Sequence, residues 1–181
     1  MSTKTEATIE DLYAVEGKAE IVNGAIVHMP PTGDVPSYAA SEIFVSLRAH
    51  ARQTGSGRAV TDNAGFLANL PHRKSFSPDA AFYTGPPAGM KFFPQAPVFA
   101  VEVRSEGDYG PKAEREMAAK RADYFAAGTL VVWDVDLRAD AAVRAYGATD
   151  PAQPRVFRRG ELADAEPAVP GWRMPVDDLF A

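Results

Sequence analysis

Hydrophobic and polar positions change their spacing several times along this chain, and each change predicts an element. Thr8-Ile-Glu-Asp-Leu-Tyr-Ala-Val-Glu offers a capping threonine, early acids and Leu12/Val15 spacing, which predicts a short helix. Ala19–Val22 and Ala25–Met29 are β-branched runs around Asn23-Gly24, the strongest short signal for a hairpin. Pro30 to Asp34 reads as a loop. Ala40, Phe44, Leu47 and Ala51 share one helical stripe, predicting a helix from Ser37 to about Gln53 with Gly55 as its stop. Arg58–Leu70 reads as two strand segments, Pro71-His-Arg-Lys as a polar turn, Ser77–Tyr83 as a strand, and 84–96 as a loop rich in Gly and Pro.

The pattern is densest at Pro97-Val-Phe-Ala-Val-Glu-Val-Arg-Ser105, a strand apolar on both faces and therefore covered by helices. A turn at 107–110 leads into a helix from Pro111 to Ala127, closed by Gly128, and Thr129–Val135 follows as a strand. Strand, helix, strand in that order predicts a crossover unit with its two strands parallel. Ala141–Tyr146 and Arg155–Arg158 read as late strands, and the tail from Pro170 docks through Trp172, Leu179 and Phe180. The fold class expected is α/β (α+β), a central mixed sheet flanked by helices in a single domain over 1–181.

Charge placed against this pattern marks the candidate chemistry. Glu102 and Arg104 share one face of the 97–105 strand with Val98 and Ala100. An unpaired carboxylate there costs several kcal/mol, so either a structural ion pair or a bound cation compensates it. Asp79 heads a short apolar strand after Pro78; Pro-Asp is commonly a turn satisfied by backbone N–H groups. If the strands at 78–83 and 98–104 pair, Asp79 and Glu102 meet at one sheet end, where one proton or one divalent cation resolves their repulsion. Oxygen donors without soft ligands fit Mg²⁺ or Mn²⁺. Lys120 lies three residues after Met117 and four before Tyr124, on the buried stripe of its helix. Its head either snorkels to water or returns over the sheet to orient a water and stabilise an oxyanion. Glu20, in the hairpin, reads on its own as an edge-strand charge.

Composition narrows the classes. The 181 residues carry a net charge of −5, which excludes a protein gripping nucleic acid by a generally basic surface. Arg48, Arg52 and Arg58, and Arg73 with Lys74, are local candidates for phosphate contact, or a solvated face. With no cysteine, disulfides, thiolate zinc sites and cysteine nucleophiles are excluded. The start lacks the apolar core of a signal peptide, and no run approaches the roughly 18 apolar residues of a span, so a cytoplasmic protein without a membrane is expected. A Ser-His-Asp hydrolase is disfavoured, since no Gly-x-Ser-x-Gly elbow occurs around histidines 28, 50 or 72.

An early Glu, then Pro-Asp, then a Val-Glu-Val strand leading to a helix resembles the PD-(D/E)XK nuclease superfamily. More closely, the chain is similar to the Uma-two family of endonucleases over most of its length. Ala19–Val27 resembles that family's opening hairpin, Ser77–Phe82 its "yPDvaf" strand, and Val101–Ser105 its "vEVlS" strand. Lys120 to Asp136 resembles its "K…Y…G…VWvvD" block, and Val169 to Phe180 its tail. The resemblance implies a restriction-endonuclease-like core and metal-dependent hydrolysis of nucleic acid, DNA first, by a chain that can work as a homodimer. It implies a Mg²⁺ or Mn²⁺ site on Asp79, Glu102 and the carbonyl of Val103, with Glu20 contributing directly or through water. Arg104 stands where the superfamily's lysine normally sits and cannot accept a proton, so Lys120 takes the lysine's role and Arg104 binds a phosphate or clamps Glu102. The family's histidine before the long helix is missing, that segment being Asp34-Val35-Pro36-Ser37. The rival readings are a nuclease-fold binding module without catalysis and a hydrolase of a small phosphorylated molecule.

Overall fold

A computed structural model describes residues 6–180; Met1 to Thr5, on which the expectation about a signal peptide partly rests, lie outside the described residues. In chain order the elements are α1 (Ile9–Tyr13), β1 (Ala19–Val22), β2 (Ala25–His28), α2 (Asp34–Thr54), β3 (Arg58–Thr61), β4 (Phe66–Leu67), β5 (Ser75–Phe76) and β6 (Ala80–Tyr83). There follow β7 (Phe99–Val103), α3 (Pro111–Ala126), β8 (Val131–Val135), β9 (Val143–Gly147), β10 (Asp150–Phe157), β11 (Leu162–Asp164), β12 (Arg173–Pro175) and a 3₁₀ turn, Val176–Leu179. The class is mixed α+β.

The 97–105 stretch is the middle of a six-stranded sheet in the order β10-β9-β8-β7-β6-β3. As the crossover through α3 requires, β7 and β8 are parallel; their neighbours run antiparallel. Alternation sorts the strands between two cores. Phe99, Val101, Val103, Val131, Trp133 and Val135 face α2 and the C-terminal segment, whereas Ala81, Tyr83, Ala100 and Val132 face Tyr124 of α3 together with Phe66 and Phe76. Glu102 and Asp134, register partners on β7 and β8, fall by the same alternation on the α3 face.

Local chemistry accounts for the joints. Asn23 and Gly24 take φ of 50° and 70°, the left-handed pair that a tight two-residue hairpin demands. Gly128, just past α3 at φ 104°, ends that helix as expected. α2 begins at Asp34, three residues before the expected start, because Pro36 falls in the first turn, where its missing N–H is not needed. The strand expected at 77–83 begins at Ala80, and a short β5 precedes it. The segment expected as a polar turn is not one: Lys74 N–H donates to the Ile21 carbonyl at 3.0 Å and Arg73 bridges to Val22, so this segment continues the hairpin sheet and Arg73 is buried. Prolines 151 and 154 lie in β10, at the sheet edge, with a register shift between Asp150 and Arg155.

The tail docks as expected. Trp172 packs between Phe99 and Trp133, with ring centroids at 5.6 and 5.1 Å, and its indole N–H donates to Ser46 Oγ at 3.0 Å. Replacing Trp172 by Ala removes the ring that joins the tail to the sheet, and should cost about 3–5 kcal/mol of stability in urea unfolding; a loss below 1 kcal/mol would show that the tail is only draped on the core.

Candidate active site

At the C-terminal end of β7 the sheet gathers charge. Asp79 precedes β6, and its N–H continues the ladder to the Val101 carbonyl at 3.0 Å. The register pairs Ala80 with Val101, so one step further along sets Asp79 opposite Glu102. Like charges directly across a strand pair repel, and cations must intervene. Asp79 Oδ2 accepts the Val103 N–H at 2.8 Å, and its Oδ1 accepts the Lys18 ammonium at 2.7 Å. Glu102 Oε1 lies 2.8 Å from Lys120 Nζ and accepts the Tyr124 hydroxyl at 2.7 Å.

Lys120 does return over the sheet. Its ammonium also lies 3.0 Å from Glu20 Oε1, so it bridges hairpin and central strand. Glu20 is buried; it takes a 2.6 Å bond from Arg73 Nη1 and a 2.8 Å bond from the Ser77 N–H. Arg73 Nε in turn donates to Asp123 Oδ2 at 2.7 Å, and Asp123 Oδ1 meets His72 Nε2 at 2.6 Å. Glu20 is therefore no edge-strand charge: it anchors a chain of ion pairs reaching from the surface to Glu102. This also withdraws Arg73 from the candidate phosphate contacts, because both ends of its guanidinium face carboxylates.

The ionisation states follow from these neighbours. Burial works against the Lys120 ammonium, but Glu102 and Glu20 outweigh it and hold its pKa above that of an ordinary lysine. It is a fixed cation, not a proton acceptor. Burial would raise Glu20, yet Lys120 and Arg73 prevail and lower it. Glu102 ends above the ordinary glutamate value, because burial and repulsion from Asp79 and Glu20 exceed the pull of Lys120 and Lys18. Burial, then the Glu102 charge, push Tyr124 well up, so it remains a phenol donating to that carboxylate.

Arg104 sits elsewhere. Its Nε and Nη2 hold Asp134 in a fork at 2.7 and 2.8 Å, and Nη1 and Nη2 engage Glu114, while Nη1 also reaches the Asp108 carbonyl at 3.5 Å. Every donor of the guanidinium is taken, so it neither clamps Glu102 nor stands open to a phosphate. Its pKa is raised, first by the Asp134 hydrogen bonds.

The site thus unites Glu20, Asp79, Glu102, Lys120 and the Val103 amide, and leaves Arg104 out. Residues not anticipated are Lys18, Asp62, Asp123 and Tyr124, while Arg73, expected as a phosphate contact, serves Glu20 and Asp123 instead. Two left a signal: Lys18 lies two before Glu20, on the same strand face, and Tyr124 lies four after Lys120. A cavity of about 230 Å³ borders the cluster, lined by Gly17, Ala19, Asn63, Ser77 and the Tyr13–Phe92 pair among others.

Asp79 and Glu102 fit a hard divalent cation by their chemistry. The linked cluster contains five carboxylates (Glu20, Asp62, Asp79, Glu102, Asp123) and three cations (Lys18, Arg73, Lys120), a surplus of two negative charges with His72 neutral. Among the described residues no three acidic or histidine side chains already surround one point as a finished metal cage. Mg²⁺ needs none, since it is commonly bound by one or two carboxylates and completed by water and substrate phosphate.

Glu20 gives this geometry a pH signature. Its folded pKa lies below the unfolded one, so its contribution is complete above the unfolded glutamate range, about pH 4 to 5, and is lost as pH falls through the folded value. Urea unfolding from pH 7 down to 3 should show Glu20→Gln less stable at pH 7 by about 3–5 kcal/mol, with Arg73 and Lys120 left short of a counter-charge. The gap to wild type should narrow as the pH drops. A gap constant over that range would contradict the buried ion-pair chain.

Comparison with known proteins agrees with the fold and the resemblance. A crystal structure described as a putative nuclease belonging to DUF820, from Anabaena variabilis ATCC 29413, superposes with a TM-score of 0.73 at 18% identity, covering 96% of this chain and 97% of that one, and so shares the fold. No curated protein matches the chain. The Uma2 family (the Uma-two family above), described as "Putative restriction endonuclease", matches residues 8–177, and the chain belongs to that family.

Proposed function

We propose that this chain is a metal-dependent endonuclease of the PD-(D/E)XK type, one nuclease domain over residues 1–181 acting on phosphodiester bonds of DNA in the cytoplasm. The observation that carries the reading is the convergence of Asp79, Glu102 and Lys120, from three separate parts of the chain, on one end of the sheet. Among the described residues no helix is long and apolar enough to cross a membrane.

A Mg²⁺ or Mn²⁺ ion held by Asp79, Glu102 and the Val103 carbonyl would supply Lewis-acid polarisation of the scissile phosphate and a more acidic bound water. The protein's own groups do the rest. Lys120, permanently charged, hydrogen-bonds the attacking water and offsets negative charge gathering on the phosphoryl oxygens. Glu20 acts through Lys120: held by Arg73 and the Ser77 N–H, it fixes where the ammonium points. Tyr124 donates to Oε1 of Glu102, which would leave Oε2 free to help hold the ion. The cavity lined by Gly17, Ala19 and Ser77 would give a flanking nucleotide room. A pair of copies, one per strand, would let so small a domain cut duplex DNA.

One observation favours a second reading, a nuclease-fold binding module: Lys18 and Lys120 already provide counter-charges for both carboxylates. Cleavage of plasmid, single-stranded DNA and RNA in Mg²⁺ separates the two. Wild type should cut at least one substrate, chelation with EDTA should stop it, and Asp79→Asn, Glu102→Gln and Lys120→Ala should each slow it by about 10²-fold or more. Binding without cleavage would favour the module, and cleavage untouched by Asp79→Asn would overturn the site.

A further inference from the structure

Lys18 holds one partner inside the proposed site and a second, more exposed one at its rim. Its ammonium sits 2.7 Å from Asp79 Oδ1 and 2.6 Å from Asp62 Oδ1. The Lys18 side chain is 12% exposed and that of Asp79 13%, but Asp62, in the turn after β3, is 43% exposed. Asp62 and Asp79 together line a cleft of about 40 Å³ beside the start of α2. Lys18 immediately precedes the strand that carries Glu20, and its carbonyl accepts the Met29 N–H at 2.9 Å, so its backbone is fixed while its stem retains its rotatable bonds.

A tethered monovalent cation on the oxygen that a divalent ion requires is a competitor for that ion. The two cannot share Asp79 Oδ1 at contact distance, since like charges a few ångströms apart in a half-buried site repel strongly. A lysine bonded to Asp79 alone would have to surrender its only counter-ion when displaced. Asp62 removes that obstacle, because the ammonium keeps one carboxylate while releasing the other.

We propose, resting on the metal-site reading above, that Lys18 is a built-in counter-cation for Asp79 that an incoming divalent ion displaces onto Asp62, so that the Lys18–Asp62 pair sets the metal affinity of the site. Lys18 occupies Asp79 and quiets the repulsion between Asp79 and Glu102 when no divalent ion is bound. With Asp79 engaged by the ion, Lys18 stays beside it on Asp62, a positioning residue at the mouth of the cleft.

Isothermal titration of Mn²⁺ into wild type, Lys18→Met, Asp62→Asn, the double variant and Asp79→Ala tests this, with circular dichroism confirming each fold. Lys18→Met keeps the apolar stem and removes the competitor, so it should bind Mn²⁺ about tenfold to a hundredfold more tightly, the worth of a charged hydrogen bond. Asp62→Asn takes away the second partner and should weaken binding several-fold, and that penalty should largely vanish in the double variant. Mere long-range electrostatics would make the Asp62→Asn penalty equal with and without Lys18, and that equality overturns the proposal. So does Lys18→Met binding no tighter than wild type. Uptake of Mn²⁺ that Asp79→Ala leaves unchanged defeats the metal-site reading itself, whereas Asp79-dependent uptake indifferent to Lys18 defeats this inference alone. A Lys18→Gln variant, smaller and polar, replaces Lys18→Met if the latter loses its fold.

Discussion

The Lys120 ammonium between Glu20 and Glu102 is the interaction on which this end of the molecule depends. It links the opening hairpin, the central strand and α3, three parts that hydrophobic packing alone would bring together without fixing their relative charge. Taking it away would leave two carboxylates facing one another in a largely dry place, an arrangement that costs several kcal/mol. Arg73 repeats the device one step outward by joining Glu20 to Asp123, and Arg104 repeats it on the neighbouring strand by joining Asp134 to Glu114. The α3 face of the sheet is thus divided into two ion-pair systems, one around Glu20, Asp79 and Glu102, the other around Arg104 and Asp134. With Arg121 Nη1 3.6 Å from Asp134 Oδ2, the second system sets two cations against two carboxylates, whereas the first leaves negative charge unbalanced.

Much of this was legible in the sequence because it rests on short-range periodicity. Asn23-Gly24 set the hairpin, alternation put Glu102 and Arg104 on one face, and Lys120 declared itself by standing on a buried stripe. Asp79 opposite Glu102 followed from the adjacency of successive strands. What escaped was whatever depends on partners far apart in the chain. Arg73 lies in a stretch whose composition spells a turn, and only its pairing with β1 pulls it inside to a glutamate 53 positions earlier. Lys18 stands two before Glu20, but nothing local joins it to Asp62 and Asp79, 44 and 61 positions further along the chain. The partner of Arg104 was equally hidden: Glu102 and Asp134 are register neighbours on parallel strands, and the guanidinium chooses Asp134, which leaves Glu102 to Lys120 and Tyr124.

The acidic balance of the chain gains a physical meaning from this arrangement. A protein with a net charge of −5 cannot attract a polyanion by its whole surface, and Arg104 and Arg73, two of its candidate phosphate ligands, are spent on carboxylates. Arg48 and Arg52 remain exposed on α2. On the proposed reading, positive charge at the reacting phosphate comes from Lys120, from a displaced Lys18 and from a bound cation, and that cation would join the fold to catalysis.

The most direct test of that joint is a crystal structure of the protein soaked in Mn²⁺, read by anomalous scattering. The account predicts one strong peak within coordination distance of carboxylate oxygens of both Asp79 and Glu102, with the Lys18 ammonium withdrawn from Asp79. Saturating Mn²⁺ with no peak at these carboxylates, and Lys18 still seated on Asp79, would contradict it.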